Sequence, residues 1–153
     1  MKSPAEVRYF SENQLQVAQV SCSVGSKHAF TLCLTEDGRI FAWGDHNKGQ
    51  LGTIPLGSKW NHTYTLQPLP VATVMPVGAT PAKIVAGAHH SSFLSTDGRL
   101  YTWGCGSDGR LGHPEYEGHV YKYLESQPKL VQALQDRVVD VTSSYYHMTV
   151  VAR

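Results

Sequence analysis

The chain is short of charge. Asp, Glu, Lys and Arg make up 16% of its 153 residues, against about 25% in ordinary soluble domains, and the formal net charge is +1. Such a balance gives no global basic field to hold a phosphate backbone or an anionic lipid surface. Neither nucleic acid nor membrane is therefore expected as a direct partner, and the N-terminus offers a polyanion only Lys2 and Arg8. Long hydrophobic runs are missing too. No stretch of about 18 apolar residues occurs, which removes a membrane-spanning helix from the expectations. The opening Met1-Lys2-Ser3-Pro4-Ala5-Glu6-Val7 lacks the apolar core of a secretory signal. Cysteine is sparse: Cys22, Cys33 and Cys105 are odd in number and have no metal-ligand spacing. They read as free thiols in a reducing compartment, hence an intracellular protein, cytoplasmic or nuclear.

Helical periodicity is also absent. Leu130 to Val138 offers the nearest approach to a helix, but Pro128 and the pattern described below favour strand, then turn. Motifs that carry chemistry are missing as well. There is no Gly-x-Ser-x-Gly and no phosphate-binding loop. Gly104-Cys105-Gly106-Ser107-Asp108-Gly109 mimics a dinucleotide fingerprint, but no helix is expected after it, so no cofactor is expected. Adjacent strand residues point to opposite faces, which disqualifies His89 and His90 as a metal pair. His113 and His119 lack accompanying carboxylate or cysteine spacing.

What the chain has is glycine, 14 in all, eight prolines, and a repeat. Asp37-Gly38-Arg39-Ile40-Phe41-Ala42-Trp43-Gly44 followed by Gly49-Gln50-Leu51-Gly52 returns 60 residues later. There it reads Asp97-Gly98-Arg99-Leu100-Tyr101-Thr102-Trp103-Gly104 and Gly109-Arg110-Leu111-Gly112. Self-similarity at a fixed period marks a repeat architecture. Pro-x-x-Val occurs in phase with it at Pro4, Pro68 and Pro128, each expected to open a strand at a sheet edge. A small residue followed by histidine three positions on recurs as Gly25/His28, Gly87/His90 and Ser144/His147. Each histidine leads into an alternating segment such as Phe30-Thr31-Leu32-Cys33-Leu34, the pattern of a strand. Asp-Gly supplies the positive φ of a hairpin turn. Each unit then holds about four short strands over roughly 60 residues, a propeller blade.

The ordered set Gly-x-x-His, Asp-Gly-x-(apolar)-(aromatic)-x-Trp-Gly and Gly-x-Leu-Gly resembles the repeat of the regulator of chromosome condensation family. The resemblance implies an all-β fold, blades of short antiparallel strands in a seven-bladed propeller. This chain holds about two and a half units of it. Residues 1–153 form a single repeat region: 1–52, then 53–112 including a loop at 53–67, then a partial unit 113–153 including a loop at 113–127. A fragment or truncated form is favoured over a multi-copy ring or an open array. Unpaired blade edges predict self-association or marginal stability for the chain alone.

Periodic residues are expected to build the scaffold: Gly25, His28, Asp37, Gly38, Trp43, Gly44, Gly52, Gly87, His90, Asp97, Gly98, Trp103, Gly104, Gly112 and His147. A binding site departs from the repeat, so the two long loops supply the candidate partner contacts: Trp60, His62, Tyr64, Tyr116, His119, Tyr121 and Tyr123. No catalytic or metal-binding residue is assigned. The expected function is a non-enzymatic protein-interaction module with a protein partner. The resemblance implies an alternative, guanine-nucleotide exchange on, or regulation of, a small GTPase, and no exchange residue maps onto this sequence.

Overall fold

The computed structural model describes residues 5–25, 28–53, 64–73, 75, 77–114, 116–121, 124–135 and 137–153. One short helix, α1 (Arg8–Glu12), precedes the first blade. That blade is built from β1 (Val17–Cys22), β2 (Phe30–Thr35), β3 (Ile40–Asp45) and β4 (Tyr64–Pro70), hydrogen-bonded in that order. The second uses β5 (Pro81–Ala86), β6 (His90–Ser95) and β7 (Leu100–Cys105). A small hairpin of β8 (Tyr116–Glu117) and β9 (Val120–Tyr121) follows, and β10 (Leu124–Leu130) then pairs with β7. A third sheet holds β11 (Val138–Ser143) and β12 (Met148–Ala152). All strand pairs are antiparallel, so the all-β blade architecture expected from the sequence is the one observed. The sheets are offset from the sequence units, because each full blade takes its outer strand from beyond the Gly-x-Leu-Gly corner.

Three local expectations are corrected. A helix does exist: α1 is a single turn, too short to stand on propensity, and it is held by Phe10, which packs edge-on against Phe41 at 5.6 Å between ring centroids. Residues 5–7 before it are not in a strand either, Val7 leading straight into α1, while Pro4 lies outside the described residues. Pro68 and Pro128 do lie on edge strands, β4 and β10, but near their ends rather than their starts. Edge placement is what matters physically, because the missing N–H then faces away from the ladder. After β10 the chain turns through a 3-10 segment, Gln132–Leu134.

The main core lies between the first two blades. Leu32, Leu34, Ile40, Ala42 and Leu51 of one meet Ile84, Ala86, Phe93, Tyr101 and Trp103 of the next. Each large apolar side chain removed from water there contributes about 1.5–3 kcal/mol. Leu94, Leu100, Val131, Val138 and Val141 form the corresponding core against β11–β12. On the opposite side of the first blade, Phe10 of α1 covers Cys33 and Phe41. The first strands of successive blades lie side by side. Gln19 of β1 reaches across to β5, donating from Nε2 to the Ile84 carbonyl at 2.9 Å and accepting from the Ile84 N–H at 3.0 Å.

Trp103 shows how one blade seats on another. It is fully buried, and its indole Nε1–H donates to the Gln50 carbonyl at 2.9 Å. The ring lies on Gly52, where a Cβ would come within 2.5 Å of Nε1. Ser91, opposite Trp103 on β6, donates to the same carbonyl at 2.7 Å. The Gly-x-Leu-Gly corner of one blade is therefore the socket for the tryptophan of the next.

Candidate loop-end surface

In a four-stranded antiparallel blade the first-to-second and third-to-fourth connections emerge at one end, and the second-to-third turn at the other. Residues 23–25, 28–29, 87–89 and 144–147 accordingly share an end with the corners after β3 and β7 and with the first residues of β4 and β10. The Asp-Gly turns, with Gly38 at φ 83° and Gly98 at φ 82°, occupy the far end.

At the loop end an arc of rings crosses the two blades and the β11–β12 sheet. His28 stands 5.4 Å from His89 between ring centroids, His89 is 6.4 Å from Tyr145, and Tyr145 meets Tyr146 edge-on at 4.5 Å. The Arg110 guanidinium carbon lies 5.3 Å from the centre of the Tyr146 ring, a cation–π contact. Tyr146 is 62% exposed and Tyr145 38%. Such rings are amphipathic and order at low entropic cost, which suits protein contact.

Asp45 anchors the first-blade end of the arc. Its carboxylate accepts from Asn47 Nδ2 at 2.9 Å, from the Asn47 N–H at 3.0 Å and from Gln50 Nε2 at 2.8 Å. His28 Nδ1 lies 3.0 Å from the same carboxylate. This network fixes the corner whose Gln50 carbonyl receives Trp103.

The repeated histidines differ in setting. His28 is an exposed loop residue at φ 64°, whereas His90 is fully buried at the head of β6, with Nε2 2.6 Å from Ser143 Oγ on β11. Burial pushes the His90 pKa down to about 4, helped by Arg110 and His89 nearby. His89 is also lowered, by burial and then by His28. His147 is exposed beside Tyr146. Ser143→Ala removes the hydroxyl from His90 and is expected to lower stability by about 1–2 kcal/mol, read as a shift in urea midpoint at unchanged slope.

Of the candidate contacts read from the sequence, Tyr64 is 60% exposed and opposite Asp45 at the start of β4. His119 is exposed at the tip of the β8–β9 hairpin, and Tyr121 is 37% exposed on its second strand, paired with Tyr116. Tyr64 borders a shallow groove of about 500 Å³ with His28, Trp43 and Asp45. Trp60, His62 and Tyr123 lie outside the described residues, as does the side chain of Tyr116. Sequence reasoning missed His89, Arg110, Tyr145 and Tyr146. The signal was present in the two variable positions of Gly-x-x-His, which read Ala88-His89 in one copy and Tyr145-Tyr146 in another.

Chemically the arc offers aromatic faces, the Arg110 guanidinium and imidazoles. Cys33, the most deeply buried thiol, has its pKa raised to about 11 by burial and is an inert packing group. Among the described residues no group of three or more His, Cys, Asp or Glu is arranged to hold a metal ion, and no helix is long and apolar enough to cross a membrane.

Comparison with known proteins is consistent in direction. The family model described as regulator of chromosome condensation (RCC1) repeat matches residues 37–94 and 97–151, and a second model of the same description matches 17–50 and 82–110. Human E3 ubiquitin-protein ligase HERC2 is 34% identical over 126 residues, which is 82% of this chain and 2% of that protein. The human regulator of chromosome condensation is 38% identical over 101 residues, 65% of this chain and 21% of its own. The chain thus spans a small part of the relatives it matches. Among solved structures, Prp20p from Saccharomyces cerevisiae, described with its binding to Gsp1p and histones, superposes with a TM-score of 0.71 at 23% identity, over 90% of this chain and 31% of that one.

Proposed function

This chain belongs to the regulator of chromosome condensation repeat family, and from that premise we propose that it is a non-enzymatic interaction module whose loop end receives a protein partner. One observation carries the reading: the side chains that depart from the repeat gather at one end of the blades. Tyr145, Tyr146 and His89 do so between the first and second strands of their sheets, and His119 and Tyr121 do so between the third and fourth strands of theirs, with Tyr64 at the start of the fourth. Trp60, His62, Tyr116 and Tyr123 belong to the same two loops and complete the proposed contact set. The far end repeats closely, with Thr35 or Ser95 bonding the aspartate of each Asp-Gly turn.

Free thiols at Cys22, Cys33 and Cys105 support an intracellular setting, nuclear or cytosolic. A second reading, regulation of or nucleotide exchange on a small GTPase, draws support from the likeness to the regulator of chromosome condensation. A nucleotide-release assay on a panel of small GTPases separates the two. No acceleration at high protein concentration is the expected result, and acceleration by the isolated chain overturns the non-enzymatic reading. In either case Tyr146→Ala and Tyr121→Ala are expected to weaken partner binding about tenfold or more, while the unfolding free energy moves by less than about 0.5 kcal/mol, as for exposed positions generally. Unchanged affinity in both variants sinks the loop-end assignment.

A further inference from the structure

The close repetition of the far end has one exception. Three times a residue just beyond a strand donates its N–H across the sheet to a residue just ahead of the neighbouring strand: Glu36 to the Gln16 carbonyl, Thr96 to Thr80 and Arg153 to Arg137, each at 2.9 Å. The three pairs occupy one place in successive sheets, ahead of β1, β5 and β11 and beyond β2, β6 and β12. The first pair carries one charge and the second none, but both members of the third are arginine. The register that sets Val138 against Ala152 puts Arg137 directly opposite Arg153, and like charges so placed weaken a sheet. Both are exposed, and among the described residues neither has a carboxylate partner. The pair walls a groove of about 400 Å³ against Thr96, Asp97 and Gly98 of the second blade's turn. The same seam of turn on strand exists one blade earlier, where a Cβ at Gly38 would lie 3.6 Å from that of Thr80; there the pair facing the turn is Thr80 and Thr96.

We propose that this groove binds a phosphate monoester, either a small molecule or a phosphorylated side chain. Two guanidiniums match a group that carries about −1.5 to −2 at neutral pH, whereas a carboxylate or a phosphodiester brings a single charge. Each planar fork presents paired N–H donors in the geometry of phosphate oxygens. Thr96 Oγ1 accepts from the Thr80 N–H at 3.2 Å, so its hydroxyl proton is available to an acceptor in the groove. Asp97, the carboxylate among the described lining residues, is already engaged: Ser95 Oγ donates to it and the Arg99 guanidinium lies 3.2 Å away. A bound dianion also relieves the repulsion between the two arginines. The site stands at the opposite end of the blades from the aromatic arc, one interface along from the Gly38 turn, and does not depend on the loop-end reading.

The test titrates the full chain, at fixed ionic strength, with inorganic phosphate and with a short phosphoserine peptide; acetate and the unphosphorylated peptide serve as controls. The Nε–H resonances of Arg137 and Arg153 and the amide of Gly98 are expected to move most, and to saturate. Replacing both arginines by threonine (Arg137→Thr with Arg153→Thr) copies the Thr80 and Thr96 pair of the preceding sheet. This double variant is expected to bind phosphate at least about tenfold more weakly. Phosphate is expected to raise the melting temperature of the wild-type chain, as a ligand of the folded state does, and to leave that of the variant unmoved. Should the variant fail to fold, the comparison of phosphate with acetate on the wild-type chain decides the matter. Tighter binding of the phosphopeptide than of inorganic phosphate upholds the site and assigns it to a phosphorylated partner; equal or weaker binding upholds it for a small phosphate. No saturation at millimolar phosphate, an equal response to acetate, unchanged affinity in a folded double variant, or tighter binding of a DNA or RNA single strand than of either phosphate overturns the proposal.

Discussion

Trp103→Ala is expected to lower the unfolding free energy by about 3–5 kcal/mol, the range for large-to-small changes at fully buried aromatic sites. Three losses combine. The ring leaves a cavity between Phe93, Tyr101 and the first-blade face. The Gln50 carbonyl loses one of its two donors, leaving Ser91 alone. Gly52, whose φ of 65° fits glycine, loses the flat surface it was shaped to carry. Because whole domains are stable by only about 5–15 kcal/mol, this one change consumes a large share of the total. Trp43 occupies the same place in the repeat but is only half-buried, against Phe10 at 5.9 Å. Trp43→Ala is therefore expected to cost about half as much, on the order of 2 kcal/mol. Urea denaturation of the two variants side by side checks the pair. Equal shifts in midpoint contradict the claim that the corner socket, rather than the repeat position itself, gives the tryptophan its weight.

Acid is expected to destabilise the fold well before its carboxylates titrate. His90 has a folded pKa of about 4 because burial resists its charge, whereas an unfolded histidine titrates near 6.5. Between those values the unfolded chain holds a proton that the folded chain refuses, so stability falls as pH falls. Above pH of about 6.5 both states are neutral and the contribution is complete. By pH of about 4 the loss from this residue approaches ~3 kcal/mol. His46, His89 and His113 are shifted the same way, chiefly by burial, and steepen the slope. Thermal or urea unfolding followed from pH 7.5 to 4.5 reads this directly. His90→Gln keeps a polar group toward Ser143 and removes the proton site, so its profile is expected to be flatter from a lower plateau. A wild-type profile that stays level from pH 7 to 5 rules the buried, neutral histidine out.

Periodicity made the architecture legible. Two copies of Asp-Gly-x-(apolar)-(aromatic)-x-Trp-Gly located β3 and β7, and the alternation after each histidine located β2, β6 and β12. The one-turn helix was not legible. Arg8 to Glu12 has no helical pattern of its own, and the turn exists because Phe10 finds Phe41. The fourth strand of each blade was legible only in part: Pro68 and Pro128 marked an edge strand, but β4 and β10 begin four residues earlier, inside the long loops, and their pairing is non-local. For the surface, the reading that contacts depart from the repeat pointed to Tyr64, His119 and Tyr121, which are exposed at the loop end. It passed over Tyr145 and Tyr146 because they stand inside a motif that was set aside as scaffold. A repeat fixes the backbone and leaves its variable positions free, so those positions, as well as the loops, are where a partner can be read.

The central claim is that the loop end receives the partner, and site-specific photo-crosslinking tests it most directly. A photoreactive phenylalanine analogue is placed at Tyr146 in one chain and at Arg39, beside the far-end Gly38 turn, in another, both positions being exposed. With both expressed at equal level in cells, discrete adducts to a protein are expected from position 146 and not from position 39. Adducts from position 39 alone, or indistinguishable patterns from the two ends, contradict the account.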